Sequence, residues 1–400
     1  MNARGFFSSY IQIDRLKDIY IALSFGFIDL LAGLVATLLL PFSKTYPWIL
    51  ILIPPLLTIR GDLNAVFSGV LTTSLHTGLM KDSFRDNTEE YYALVSSIYF
   101  LGFLNSILFA LVIGVYLNNL ILSLIVLFIL NACFFLASSF SFLMTSTIGF
   151  ITFRKGLDPD VIVYPAMSTF NDILIIFILI AVIAIIEPAN VFKALLIGGA
   201  IFIFSSLFRI TLFCRYRRNL FFRRTMKESY IGFAFSIPIS SLTGIVLMKL
   251  NPVLQKFPEV LIIWPALITA IGGTGAIVAS VLDTKLHRGD INAEFTAILS
   301  DYGVSIIIQS LIALTTYIVL LCFMGSLIVG RLFSSFLKIL YLILASSMMS
   351  ALIVYFTSIT IATYAFQRGL NPDNFTITII TTLADFLTSL SILLLATAYL

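Results

Sequence analysis

Two stretches decide how this chain is organised: PPLLTIRGDLNAVFSGVLTTSLHTG at 54–78 and PALITAIGGTGAIVASVLDTKLHRG at 265–289. They align without gaps at an offset of 211, so Pro54, Gly61, Thr73, His76 and Gly78 recur as Pro265, Gly272, Thr284, His287 and Gly289. A second pair follows at an offset of 213: KGLDPDVIVYPAMSTFNDIL (155–174) and RGLNPDNFTITIITTLADFL (368–387). Chance matching of Leu-rich segments explains shared Leu and Val. It does not explain shared Gly, Pro, Asp and His at one spacing, so the chain is an internal repeat.

Composition sets the medium in which the repeat folds. The chain is 60% hydrophobic and 11% charged, where soluble proteins carry roughly 25% charged residues. Apolar runs recur at lengths that suit membrane helices, without the alternation of a β-barrel strand. Eleven spans follow, at 20–41, 47–79, 92–116, 119–153, 164–186, 191–213, 229–250, 258–287, 302–324, 332–366 and 375–399. The net charge of +4 reads as a topology signal and not as a nucleic-acid footprint. Cys133, Cys214 and Cys322 form no CxxC pair, which argues against a disulfide framework or zinc site. The polar stretches leave no room for a soluble catalytic domain. HExxH, GxSxG and DDxxD patterns are missing from the sequence, and its two histidines offer little for acid–base chemistry. An enzyme is therefore not expected. The first span lacks a small-residue cleavage site and reads as an uncleaved signal anchor.

The densest basic run, RYRRNLFFRRTMK at 215–227, places that loop in the cytoplasm. Counting spans outward puts the N-terminus inside and the C-terminus outside, in a multi-pass cell-membrane protein. The expected division is a cytoplasmic segment at 1–19, a five-helix repeat at 20–190, a linker helix with its basic loop at 191–227, and a second five-helix repeat at 228–400. Five spans would invert the second copy, and the linker helix restores its orientation. The fold class is then an all-α polytopic membrane protein of two parallel repeats, related by a pseudo-twofold axis along the membrane normal.

Asp172 and Asp385 are equivalent under the repeat, and both lie well inside apolar spans. A carboxylate at that depth costs about 2.5–3.5 kcal/mol on insertion scales, faces the protein interior, and by default marks function. Ser168 and Thr169 precede Asp172 by one turn, and Thr381, Thr382 and further hydroxyls surround Asp385 at helical spacing. Two such carboxylates with hydroxyl and carbonyl oxygens make a hard ligand set suited to Mg²⁺, Mn²⁺ or Ca²⁺. Mg²⁺ in particular keeps several waters and takes only one or two carboxylates. Asp172 and Asp385 are therefore the candidate metal ligands. Asp62, Asn64, Thr274 and Asp29 join Ser168, Thr169, Thr381 and Thr382 as candidate pore-lining residues. The alternative structural role for the aspartates is a buried acid locking helices through neighbouring hydroxyls. Arg60 is expected to pair with Asp62, two residues on. The glycine-rich stretches TIRGDLN (58–64) and AIGGTGA (270–276) are expected to break their helices and free backbone groups toward a wet cavity. His76 and His287 read as helix-end anchors, and Asp160 and Asp373, in the LxPD turns, as caps.

NPDNFTITIITTLADFLTSLSILLL resembles the last helix of the MgtE-type magnesium transporters, where a "DP…P.VTT..D" pattern carries the ion-binding aspartate. PALITAIGGTGAIVAS is similar to that family's "P.L…GGN.G.Q.S" helix. PPLLTIRGDLNAVFSGVLTT looks like the "PALLGLKGNLE…SRLST" block of its two-repeat relatives, solute carrier family 41. The resemblance implies a divalent-cation pore, most simply for Mg²⁺, formed by two five-helix units of one chain as a complete pseudo-dimer. The partners implied are the lipid bilayer and the metal ion. The sequence departs from the pattern at Thr274 and Asp62, each standing where the family has Asn, and an MgtE-type regulatory domain is not expected. The competing class is an H⁺- or Na⁺-coupled transporter of another small solute, using the same aspartates as relays.

Overall fold

A computed structural model describes residues 12–155, 159–289, 291, 303–367 and 376–399. Among the described residues there is no β-strand. The first span is three short helices, α1 (Ile13–Phe25), α2 (Asp29–Ala36) and α3 (Leu40–Thr45), joined by 3₁₀ turns. Then come α4 (Ile53–His76), α5 (Glu89–Leu117), α6 (Leu120–Arg154), α7 (Pro159–Ile186) and the linker helix α8 (Val191–Tyr216). The second half holds α9 (Leu220–Lys249), α10 (Asn251–Lys256), α11 (Pro258–His287), α12 (Val304–Ile328), α13 (Leu332–Gln367) and α14 (Thr376–Tyr399). Ten stretches among the described residues are long and apolar enough to cross a membrane, and Phe170–Ile186 of α7 is a shorter apolar helix. The chain is an all-α, multi-pass membrane protein. In such a medium each helix satisfies its own backbone polar groups, which water cannot reach.

Helix ends repeat as the sequence does. α4 and α11 both stop at the recurring histidine. Gly78 (φ +72°) and Gly289 (φ +73°) follow in the left-handed conformation that glycine adopts without strain. The N–H of Gly78 bonds the carbonyl of Leu75 at 3.2 Å, and that of Gly289 bonds Leu286 at 3.1 Å. At the other end, Tyr46 (φ −128°, ψ 74°) and Phe257 (φ −128°, ψ 77°) make the same turn into these helices, 211 residues apart. Elsewhere side chains set the starts: Asn119 caps α6 through the N–H of Leu122, and Asn190 caps α8 through that of Lys193.

The expected breaks at TIRGDLN and AIGGTGA do not occur. α4 and α11 run unbroken through both stretches. In AIGGTGA, Gly272 and Gly275 serve close packing instead, while a methyl group at Gly61 or Gly273 would meet nothing within 4 Å. A methyl group at Gly272 would stand 3.2 Å from Cα of Thr381, and one at Gly275 would meet Val354 at 2.6 Å. Small residues let membrane helices approach where no hydrophobic effect drives them together.

The chain forms two compact units, one from residues 1–50 with 245–400 and one from 51–244. These units cross the repeat boundaries inferred at 20–190 and 228–400. The first span packs with α11 of the second repeat, and α9 belongs with the helices of the first. Two equivalent glycines make the contacts. Gly33 of α2 lies against the carbonyl of Ile262, and Gly244 of α9 lies against the carbonyl of Ile51. Both pairs are related by 211 residues, with partners exchanged. A methyl group would overlap the carbonyl at either site. Gly33→Ala and Gly244→Ala should each cost about 1–3 kcal/mol through overpacking. Gly232→Ala, whose methyl would meet nothing within 4 Å, should be neutral or slightly stabilising in the helix. Thermal unfolding of the purified protein in detergent checks the contrast.

Candidate functional site

In the unit of residues 51–244, the RGDLN segment of α4 carries Arg60, Asp62 and Asn64 through the middle of its span. Arg60 and Asn64 are buried and Asp62 is half-buried. α7 brings Asn171 and Asp172 alongside. The Arg60 guanidinium donates from Nη2 to Oδ1 of Asp172, with the two side chains 6% and 15% exposed. The pairing expected between Arg60 and Asp62 is therefore corrected. Arg60 lies near Asp62, but its ion pair is with Asp172, across to α7. The reason is local: on a helix, residues two apart face different directions, whereas α7 runs beside α4.

Asp62 points toward α9, where the Ser236 hydroxyl hydrogen-bonds its carboxylate. Its Oδ2 is shielded from solvent and accepts no hydrogen bond from the described residues. Asn64 faces α6. Its Oδ1 accepts from Thr145 at 3.1 Å and from Ser141 at 3.3 Å. Asn171 Nδ2 in turn donates to Ser141 Oγ at 3.0 Å. Arg60, Asn64, Ser138 and Ser141 line a small cavity, with Phe67 and Phe134, of about 10 Å³. That is close to the least room a water needs.

In the other unit the equivalent positions carry different chemistry. Arg60, Asp62 and Asn64 correspond to Ile271, Gly273 and Gly275, and Asn171 corresponds to Ala384. Ser141 and Thr145 correspond to Val354 and Ser358, which pack on Gly275. The polar network of the first repeat is thus replaced by close apolar packing. Asp385 is half-buried in α14, one turn before Ser389, whose hydroxyl bonds its backbone carbonyl at 2.8 Å. Trp264 Nε1 anchors that Ser389 from α11 at 2.9 Å.

The remaining candidates fall in several places. Thr274 is buried and committed, accepting from Tyr355 Oη at 2.8 Å and donating to Ala270. Thr382 is buried and Thr381 half-buried, each with its hydroxyl turned to the Thr378 carbonyl of its own helix. Asp29 is 3% exposed, beside Tyr317 of α12. The side chains of Ser168, Thr169, Asp160 and His287, and the whole of Asp373, lie outside the described residues. So do Leu157 and Asp158 of the first LxPD turn and all of the second. Among the described residues no group of three or more His, Cys, Asp or Glu could hold a metal.

A model of the MgtE family, described as divalent cation transporters, matches this chain twice, over residues 53–182 and 264–395. The chain belongs to the MgtE family. It is a divalent cation transporter and not an enzyme. The two matches begin 211 residues apart, 53 against 264, and end 213 apart, 182 against 395. These are the offsets of the internal repeat. One match takes in Asp172 and the other Asp385. No curated protein and no solved structure matches the chain.

Sequence reasoning missed the Asn64–Ser141–Asn171 network and the partner of Arg60. The available signal was the repeat itself: an arginine inside a span at a position where the other copy has Ile271. Removing one member of a buried ion pair leaves the other charge uncompensated, at about 3–5 kcal/mol. Asp172→Asn should therefore lower stability by that order, and Arg60→Ile in the same chain should recover most of it. Thermal unfolding in detergent of the two variants and the wild type measures both effects.

Proposed function

We propose that the transported ion is hydrated Mg²⁺ and that one chain supplies both halves of the path. Asp172 and Asp385 mark that path, one from each repeat. The observation that carries the reading is Asp385: a half-buried carboxylate inside an apolar span, within a segment matched to a divalent cation transporter family. A carboxylate there is costly in lipid, and a passing cation offsets its charge. Mg²⁺ suits such a site because it needs few protein ligands and retains water. Mn²⁺ and Ca²⁺, with similar oxygen preference, are competing cargoes. The protein sits in the cell membrane with its N-terminus in the cytoplasm and its C-terminus outside, on the basic-loop argument.

Reconstituted vesicles loaded with a Mg²⁺-sensitive dye test the reading. Wild type should carry Mg²⁺ inward above protein-free vesicles, and Asp385→Asn should cut the rate at least about tenfold, a barrier change near 1.4 kcal/mol. Undiminished flux in Asp385→Asn would remove Asp385 from the path. Movement of an organic solute driven by a proton or Na⁺ gradient, with no Mg²⁺ flux, would favour the coupled-transporter alternative.

A further inference from the structure

The two repeats differ where the proposed path needs charge, and the differences compensate. At three equivalent positions the first repeat has Arg60, Asp62 and Asp172, and the second has Ile271, Gly273 and Asp385. Each set sums to one negative formal charge. The first repeat carries an arginine and an aspartate, two residues apart, where the second has neither.

The geometry says which acid the arginine takes. Arg60 is bound to Asp172 and both are largely buried. A guanidinium does not lose its proton in proteins, so the cation is permanent. A divalent ion reaching Asp172 would share that carboxylate with a permanent cation already bound at Oδ1, and the two positive charges repel. Asp62 stands differently. Its carboxylate has the Ser236 hydroxyl, but its Oδ2 is buried and accepts no hydrogen bond from the described residues. At the equivalent Gly273, a methyl group would meet nothing within 4 Å. The side chain at this position is therefore not required to fill a packed core.

We infer that Asp62, not Asp172, is the carboxylate through which the first repeat binds the ion, and that Arg60 is a tethered counter-ion fixing Asp172. The inference rests on the transport reading and changes its residue assignment. Asp172 then positions Arg60 and keeps it off Asp62. Losing Asp172 leaves the Arg60 charge, which already acts on Asp62, without that counter-ion, so Asp172→Asn alone weakens the field of Asp62 and suppresses transport without Asp172 touching the ion. Removing both Arg60 and Asp172 leaves Asp62 with its charge.

The test is Mg²⁺ flux through the full chain in dye-loaded vesicles, with thermal unfolding of each variant in detergent as the folding control. Asp62→Asn should lose at least about tenfold in rate, and Asp172→Asn a similar amount, while Arg60→Ile with Asp172→Asn should return to within about threefold of wild type. The assignment is overturned if Asp62→Asn transports like wild type. It is also overturned if the double variant regains its melting temperature but stays as inactive as Asp172→Asn. Failure of the underlying reading looks different: wild type itself would show no flux above protein-free vesicles, and the assignment would fall with it.

Discussion

Backbone contact at two glycines decides which helices belong together in this protein. In lipid there is little hydrophobic gain from bringing one apolar helix to another, so close approach must come from shape. Gly33 against Ile262 and Gly244 against Ile51 place main chain on main chain, and only a residue without a side chain permits it. The two contacts are copies of each other under the repeat, with the partners exchanged. Each compact unit therefore contains a first helix from the other repeat. α4 and α11 are met near their starts by a segment of the other copy.

On that frame the two repeats have diverged in how they treat the same interior space. The first fills it with hydrogen bonds: Asn64 takes two hydroxyls from α6, and Asn171 reaches one of them from α7. The second fills it by closeness: Gly275 lets Val354 and Ile380 come in, and Gly272 admits Thr381. Both are stable answers in a medium without water, since a buried polar group is tolerable when bonded and a buried glycine when a neighbour closes on it. A mixed arrangement, with Asn64 facing Val354, would leave the amide without its hydroxyl. The substitutions therefore make sense as a set on three helices.

Much of this was legible in the sequence. Span positions follow from apolar length, because a bilayer core fixes how many residues a helix needs. The expected spans at 119–153, 258–287 and 332–366 differ little from Leu120–Arg154, Pro258–His287 and Leu332–Gln367. The repeat was legible because Gly78 and Gly289 serve the same left-handed turn, a constraint few residues can meet. The exchange of first helices was not, since sequence kinship says nothing about which copy a helix packs against. Nor was the continuity of α4 and α11: glycine in a span can free the backbone or admit a neighbour, and only the neighbour's position decides. The partner of Arg60 was hidden for the same reason. Asp62 is nearer in sequence, while Asp172 lies 112 residues away and meets Arg60 only after folding.

Charge conservation between the copies bears on how such a pair arises. An arginine alone at position 60 would neutralise Asp172 and leave these three positions without net charge. An aspartate introduced alone at position 62 would give that repeat two neighbouring carboxylates, which repel in low dielectric. Together they leave one negative charge at these three positions, as in the other copy, and anchor α4 to α7 by an ion pair that the other copy lacks. A buried ion pair is weak evidence for added stability, because desolvation offsets most of its attraction; its better-attested use is to fix one arrangement over others. Here it fixes the register of α4 on α7, while the second repeat holds α11 on α14 through Gly272 and Thr381. The same charge is thus delivered on a polar scaffold in one copy and on a close-packed one in the other.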